Sequence, residues 1–125
     1  MELELHTSQQ DGVATQLDPK GAIGATKPQL WLIPREAMNE EAGAMNLGAK
    51  KYGAWNWRKG QVCMSTYLSA ALRHLFKVID QTDEGDIDPE SMAHHLGHVR
   101  ACCGIMLDAK KCGTLVDDRV KGGES

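Results

Sequence analysis

Aromatic residues are scarce: one Phe, two Tyr and three Trp make up 5% of the 125 positions. A sandwich or barrel resting on aromatic and β-branched strands is disfavoured, and the core has to come from Leu, Met, Ala, Val and Ile, as in packed helices. Long apolar runs are missing as well. Nothing approaches the roughly 20 residues that a membrane-crossing helix requires, which excludes insertion into a bilayer. The four cysteines, Cys63, Cys102, Cys103 and Cys112, lack CxxC spacing. The chain opens Met-Glu-Leu-Glu-Leu, without the basic start and apolar run of a secretion signal. Reduced thiols and a cytoplasmic setting are expected. A strong excess of charge is also absent: the formal net charge is -3 at pH 7, so general attraction to nucleic acid is not expected. Neither an internal repeat nor a low-complexity tract occurs.

What is present suffices for one domain. The apolar fraction is 42%, enough for a single core at this length. Short helices leave much of that core exposed, which favours completion against a second copy, as a dimer or tetramer. Residues 1 to 26 show no sustained period and read as a flexible arm. The folded domain is expected over 27 to 113, with a polar tail from 114 to 125. An apolar lead-in, Lys27 to Pro34, precedes a helix from Pro34 towards Lys51 with Ala37, Met38, Ala42, Met45 and Ala49 at helical spacing. Gly43 and Gly48 each weaken it by up to about 1 kcal/mol relative to Ala, which a close helix contact would explain.

Glycines and alternating aromatics from Lys50 to Gly60 indicate an ordered loop. Ser65 is the expected N-cap of a second helix carrying Leu68, Ala71, Leu72, Leu75, Phe76 and Ile79 and ending near Asp80. Asp88-Pro89-Glu90 reads as cap, first-turn proline and first-turn acid of a third helix. Its expected buried stripe is Met92, Leu96, Val99, Cys103 and Met106, and Lys110, Lys111 and Gly113 suit its end. The fold class is therefore all-α, a small helical bundle.

Three groups of residues are candidates for chemistry. Glu36, Glu40 and Glu41 crowd one helix face at a cost of roughly 0.2 to 0.5 kcal/mol per like-charged pair. They form either a solvated acidic face or a site for magnesium or manganese, which favour hard oxygen ligands. Glu90, His94 and His98, with His95 alongside, share a flank of the third helix, as metal or substrate ligands or as ordinary surface and packed residues. A zinc variant using His94, His98 and Cys102 needs a fourth ligand from elsewhere. The loop combines Lys50, Lys51, Arg58 and Lys59 with Tyr52, Trp55, Asn56 and Trp57. Those residues suit phosphate contacts, stacking and base recognition, and equally single-stranded nucleic acid or a core-anchoring loop. Arg73 and His74 either join the phosphate contacts or pair with acids.

The ordered set Gly48-Ala49-Lys50-Lys51-Tyr52-Gly53, Asn56-Trp57-Arg58-Lys59-Gly60, Arg73-His74-Leu75 and Asp88-Pro89-Glu90-Ser91, after Lys27-Pro28 and Leu32-Ile33-Pro34, resembles the phage dATP/dGTP diphosphohydrolase family, related to MazG-like all-helical nucleotide pyrophosphohydrolases. The resemblance covers residues 27 to 109. It implies an oligomer with magnesium or manganese held by carboxylates, and attack of water on the α-phosphorus of a purine nucleoside triphosphate. Carried over by position, Glu40 and Glu90 are the nearest matches for metal and catalytic roles. Glu36 and Glu41 follow, by helical geometry, as ligands, with Glu41 also a catalytic candidate. Lys50, Lys51, Arg58 and Arg73 are expected at phosphates, Asn56 and Trp57 at the base or sugar, and Tyr52, His74, His95 and His98 elsewhere on the substrate. One branch comprises the MazZ enzymes of 2-aminoadenine phages, which act on dGTP. The chain lacks the EExxE and ExxD pair of MazG proteins, so the ligand set stays open. The competing reading is a single-stranded nucleic-acid-binding module using residues 50 to 59.

Overall fold

The computed structural model describes residues 18–122, and its contacts divide the chain into two units, Met1–Ile33 and Pro34–Ser125. In the first, helix α1 (Pro19–Gly24) begins on Asp18, whose carboxylate accepts from the Gly21 N–H, with Pro19 in the first turn where no donor is missed. A single 3-10 turn follows at Leu30–Leu32, and the Gln29 amide donates to the carbonyls of Gly24 and Lys27. Of the flexible arm expected over residues 1 to 26, residues 1–17 lie outside the described residues, and the remainder carries α1.

The second unit holds α2 (Arg35–Tyr52), a 3-10 turn (Asn56–Arg58), β1 (Val62–Cys63), α3 (Met64–Asp80), α4 (His95–Cys112) and β2 (Leu115–Val116). Helices dominate, in agreement with the all-α expectation. Among the described residues the only strands are the short parallel pair β1–β2, with Val62 opposite Leu115 and Cys63 opposite Val116. Helix α4 is central, packing against both α2 and α3. It approaches α2 so closely that a Cβ on Gly97 would overlap the carbonyl of Glu40. A Cβ on Gly43 would come within 3.1 Å of Ala93, the close contact its glycine suggested; Gly48 has open space around it.

Four expectations require correction. Ser65 is not the N-cap of α3: it lies in the first turn, and its N–H and hydroxyl donate to Asp118 at 2.9 and 2.5 Å. The supposed polar tail thus supplies the cap and also β2. The third helix starts at His95, with the His94 imidazole accepting from the Leu96 N–H, because Asp88 spends its carboxylate on a turn closed by Ser91 and Glu90. Glu90, His94 and His98 therefore share no helix flank. Finally, the buried stripe of α4 is His95, Gly97, Ala101, Cys102, Met106 and Ala109; Met92 is 72% exposed at φ 61°, and Leu96 and Cys103 face solvent.

Candidate active site

Small residues on the facing sides of the helices leave a hollow. Ala44, Gly48 and Ala49 of α2, Ala70 of α3, and Ala101 and Gly104 of α4 line a cavity of about 720 Å³. Met45, Tyr67 and Ile105 add apolar walls, while Lys51, Tyr52, Trp55 and Asn56 form a basic and aromatic side. Glu41, Asp88, Glu90, His74 and His98 add its titratable groups. An apolar lining with a few converging polar groups is the usual form of a small-molecule site, whose volume is typically about 300 to 1,000 Å³.

At one end of the cavity the aromatic loop is fastened to α4. Trp57 is buried, and its indole N–H donates to Asp108 at 2.6 Å. Arg58 donates to both oxygens of the same carboxylate at 2.7 Å. These donors, Arg58 first and then Trp57, hold the Asp108 carboxyl down at about 2. The Arg58 guanidinium also lies 4.3 Å from the centre of the Trp55 ring, a cation–π contact, and Trp55 itself sits at φ 60° in the left-handed region.

At the other end three imidazoles meet. His74 stacks on His98 with ring centres 4.2 Å apart, and its Nδ1 lies 2.9 Å from Nδ1 of His95. Nε2 of His95 lies 2.8 Å from Glu84, which Lys77 pairs at 3.0 Å. His98 Nε2 is 2.6 Å from the Ser91 hydroxyl and 3.1 Å from Asp88. Burial, followed by the neighbouring His98 and His95, lowers His74 to about 4; burial also lowers His98, against the opposing charge of Asp88. Hydrogen bonding to Lys77 is the main cause holding the Glu84 carboxyl below its ordinary range.

The expected glutamate cluster does not assemble. Glu36 is exposed away from the cavity, and Glu40 accepts the His94 N–H at 2.6 Å. Glu41 and Glu90 do line the cavity, but each is paired, with Arg100 at 3.1 Å and Lys51 at 3.3 Å. Among the described residues no three His, Cys, Asp or Glu side chains converge to hold an ion. The residues present do not fit a preformed magnesium or manganese cage, nor the zinc set of His94, His98 and Cys102. Burial pushes the Cys102 thiol up to about 11, so it stays protonated at neutral pH.

The family model described as dATP/dGTP diphosphohydrolase, N-terminal, matches residues 18–119. The chain belongs to this family. Searches of curated proteins and of solved structures return no match to it. The diphosphohydrolase-family assignment agrees with the motif resemblance and extends it at both ends, taking in α1 and β2.

In this family member the cavity brings together Glu41, Glu90, Lys51, Tyr52, Asn56, Trp57, His74 and His98 of the residues expected from sequence. It leaves out Glu36, Glu40, Lys50, Arg58, Arg73 and His95. Trp57 presents little free surface, and Arg58 has its guanidinium committed to Asp108. His95 is a buried connector rather than a cavity residue. Sequence reasoning missed Glu84, Asp88, Ser91 and Asp108; only the Asp88-to-Ser91 segment carried a signal, as part of the family motif. No described helix is long and apolar enough to cross a membrane.

Proposed function

We propose that this chain hydrolyses a purine deoxynucleoside triphosphate, dATP or dGTP, in the cavity between its helices, giving the monophosphate and pyrophosphate. The observation that carries this reading is the cavity itself: about 720 Å³, apolar beneath and lined by Lys51, Asn56, Tyr52 and the exposed ring of Trp55, in a chain of this family. Its aromatic side suits a base and Lys51 suits a phosphate. Magnesium or manganese is best supported as an ion arriving with the triphosphate. Such ions keep phosphate oxygens and waters as ligands, and Glu41 and Glu90 are the glutamates nearest to hand in the cavity wall.

A homo-oligomer remains part of the proposal, supported by Leu72, Phe76 and Ile79, which leave an apolar side of α3 exposed. The nucleic-acid reading loses ground because Arg58 and Trp57 are consumed by Asp108. The deciding experiment incubates the protein with each of the eight common nucleoside triphosphates and either metal, separating products by chromatography. Monophosphate from dATP or dGTP supports the proposal and names the base. Absence of turnover, with salt-sensitive binding of single-stranded DNA, overturns it.

A further inference from the structure

His95, 1% exposed, is the one polar side chain fully buried among the described residues. A buried imidazole needs partners for both nitrogens, and here Glu84 and His74 supply them at 2.8 and 2.9 Å. The roles follow from donor and acceptor chemistry. A carboxylate only accepts, so Nε2 of His95 carries the hydrogen. Where Nε2 carries the one hydrogen of the His95 ring, Nδ1 is a lone pair, and the donor that meets it is Nδ1–H of His74. That leaves Nε2 of His74 as a lone pair, with no hydrogen bond to any described residue, on a ring that lines the cavity and lies within 10° of parallel to His98.

We propose that Glu84 and His95 are positioning residues that hold His74 in its Nδ1–H form, and that Nε2 of His74 accepts the proton of the attacking water. This rests on the hydrolytic reading above. As the water oxygen bonds to the α-phosphorus, its proton passes to Nε2. The bond from that phosphorus to the bridging oxygen of the β-phosphate breaks, and its electron pair leaves with pyrophosphate. The imidazolium formed at His74 keeps its Nδ1–H on Nδ1 of His95, whose own N–H is held by the Glu84 carboxylate. His74 is faced by His95, His98, Asp88 and Arg73, and burial keeps it unprotonated, and so able to act, at neutral pH.

The test combines kinetics on dATP and dGTP with nitrogen NMR of the imidazoles in the wild-type protein. The spectra are expected to place the His74 proton on Nδ1. His74→Phe, which keeps a stacking ring, is expected to lower kcat on the order of 100-fold with KM nearly unchanged, the scale of a lost general base. Glu84→Ala is expected to lower kcat about tenfold, the usual scale for an orienting partner. Glu84→Gln is expected to restore most of it, because the amide oxygen accepts the same N–H. A proton on Nε2 of His74 overturns the proposal, as does a folded His74→Phe protein with wild-type kcat in an active enzyme. Equal losses for Glu84→Ala and Glu84→Gln overturn the positioning role. A wild-type protein with no turnover overturns the hydrolytic reading and the catalytic role of Nε2 with it.

Discussion

The two ends of α4 use polar groups in opposite ways. Near its C-terminus Asp108 accepts from Trp57 and twice from Arg58, and the cluster closes on itself. Near its N-terminus the Glu84–His95–His74 chain leaves its last nitrogen open beside the cavity. Saturated hydrogen bonding supports a fold, because breaking one partner strands the others, whereas an open valence at a cavity is available to a ligand. The residues that look most like substrate chemistry in the sequence, an arginine and a tryptophan, are the ones already spent. Two imidazoles that look as much like packing material form the poised end.

Five changes test that contrast. Trp57→Ala removes a buried ring from the closed end and is expected to cost about 3 to 5 kcal/mol of stability in denaturant unfolding, the range for buried aromatics. A loss below about 1 kcal/mol would mean the corner is not a support. Gly97→Ala drives a methyl against Glu40 between His95 and His98, and is expected to cost about 1 to 3 kcal/mol through overpacking. Its tilt of α4 should also reduce turnover more than the stability loss alone explains, as seen by assaying below the melting point.

Acid separates the ends further. His74 titrates near 6.5 unfolded and about 4 folded, so between those values the unfolded chain binds the extra proton and stability falls as pH falls. Stability is complete above about 6.5, and His74→Phe should flatten the decline between 6.5 and 4 in melting curves. Asp108, depressed from 3.8 to about 2, contributes stability present above 3.8 and lost as pH falls towards 2, so Asp108→Asn should lower stability throughout the range above 3.8 and flatten the decline between 3.8 and 2. The smallest effect is expected from Asp118→Ala, which uncaps α3. A lower melting temperature by a few degrees with unchanged kcat is the predicted result, and altered kcat would contradict it.

Much of the scaffold was legible in the sequence, for identifiable reasons. Helices α2 and α3 announce themselves through i, i+3, i+4 spacing, and Gly113 at φ 77° ends α4 as a left-handed cap should. The start of α4 was not legible because Asp-Pro-Glu-Ser serves a helix cap and a side-chain-closed turn equally well, and Asp88 took the turn. That single choice displaced Glu90 from the helix and moved the buried stripe from Met92 to His95. Of the residues lining the cavity, Glu90, Tyr52 and Asn56 could be found from the family motif, and Glu41 from its place beside Glu40 on the helix. The hydrogen-bonded trio could not: His74, Glu84 and His95 come from two helices and a loop, and no spacing along the chain links them.

The strands β1 and β2 contribute almost nothing to secondary-structure content, yet they make the α3–α4 pair a closed loop of chain. Val62 donates to Thr114 at 3.0 Å at one end, and the Glu84–His95–His74 links tie the other. Helices fastened at both ends can bow but cannot scissor apart. The cavity that depends on their separation is therefore gauged partly by residues 114 to 118, as the width of a barrel is held by a hoop far from its bung.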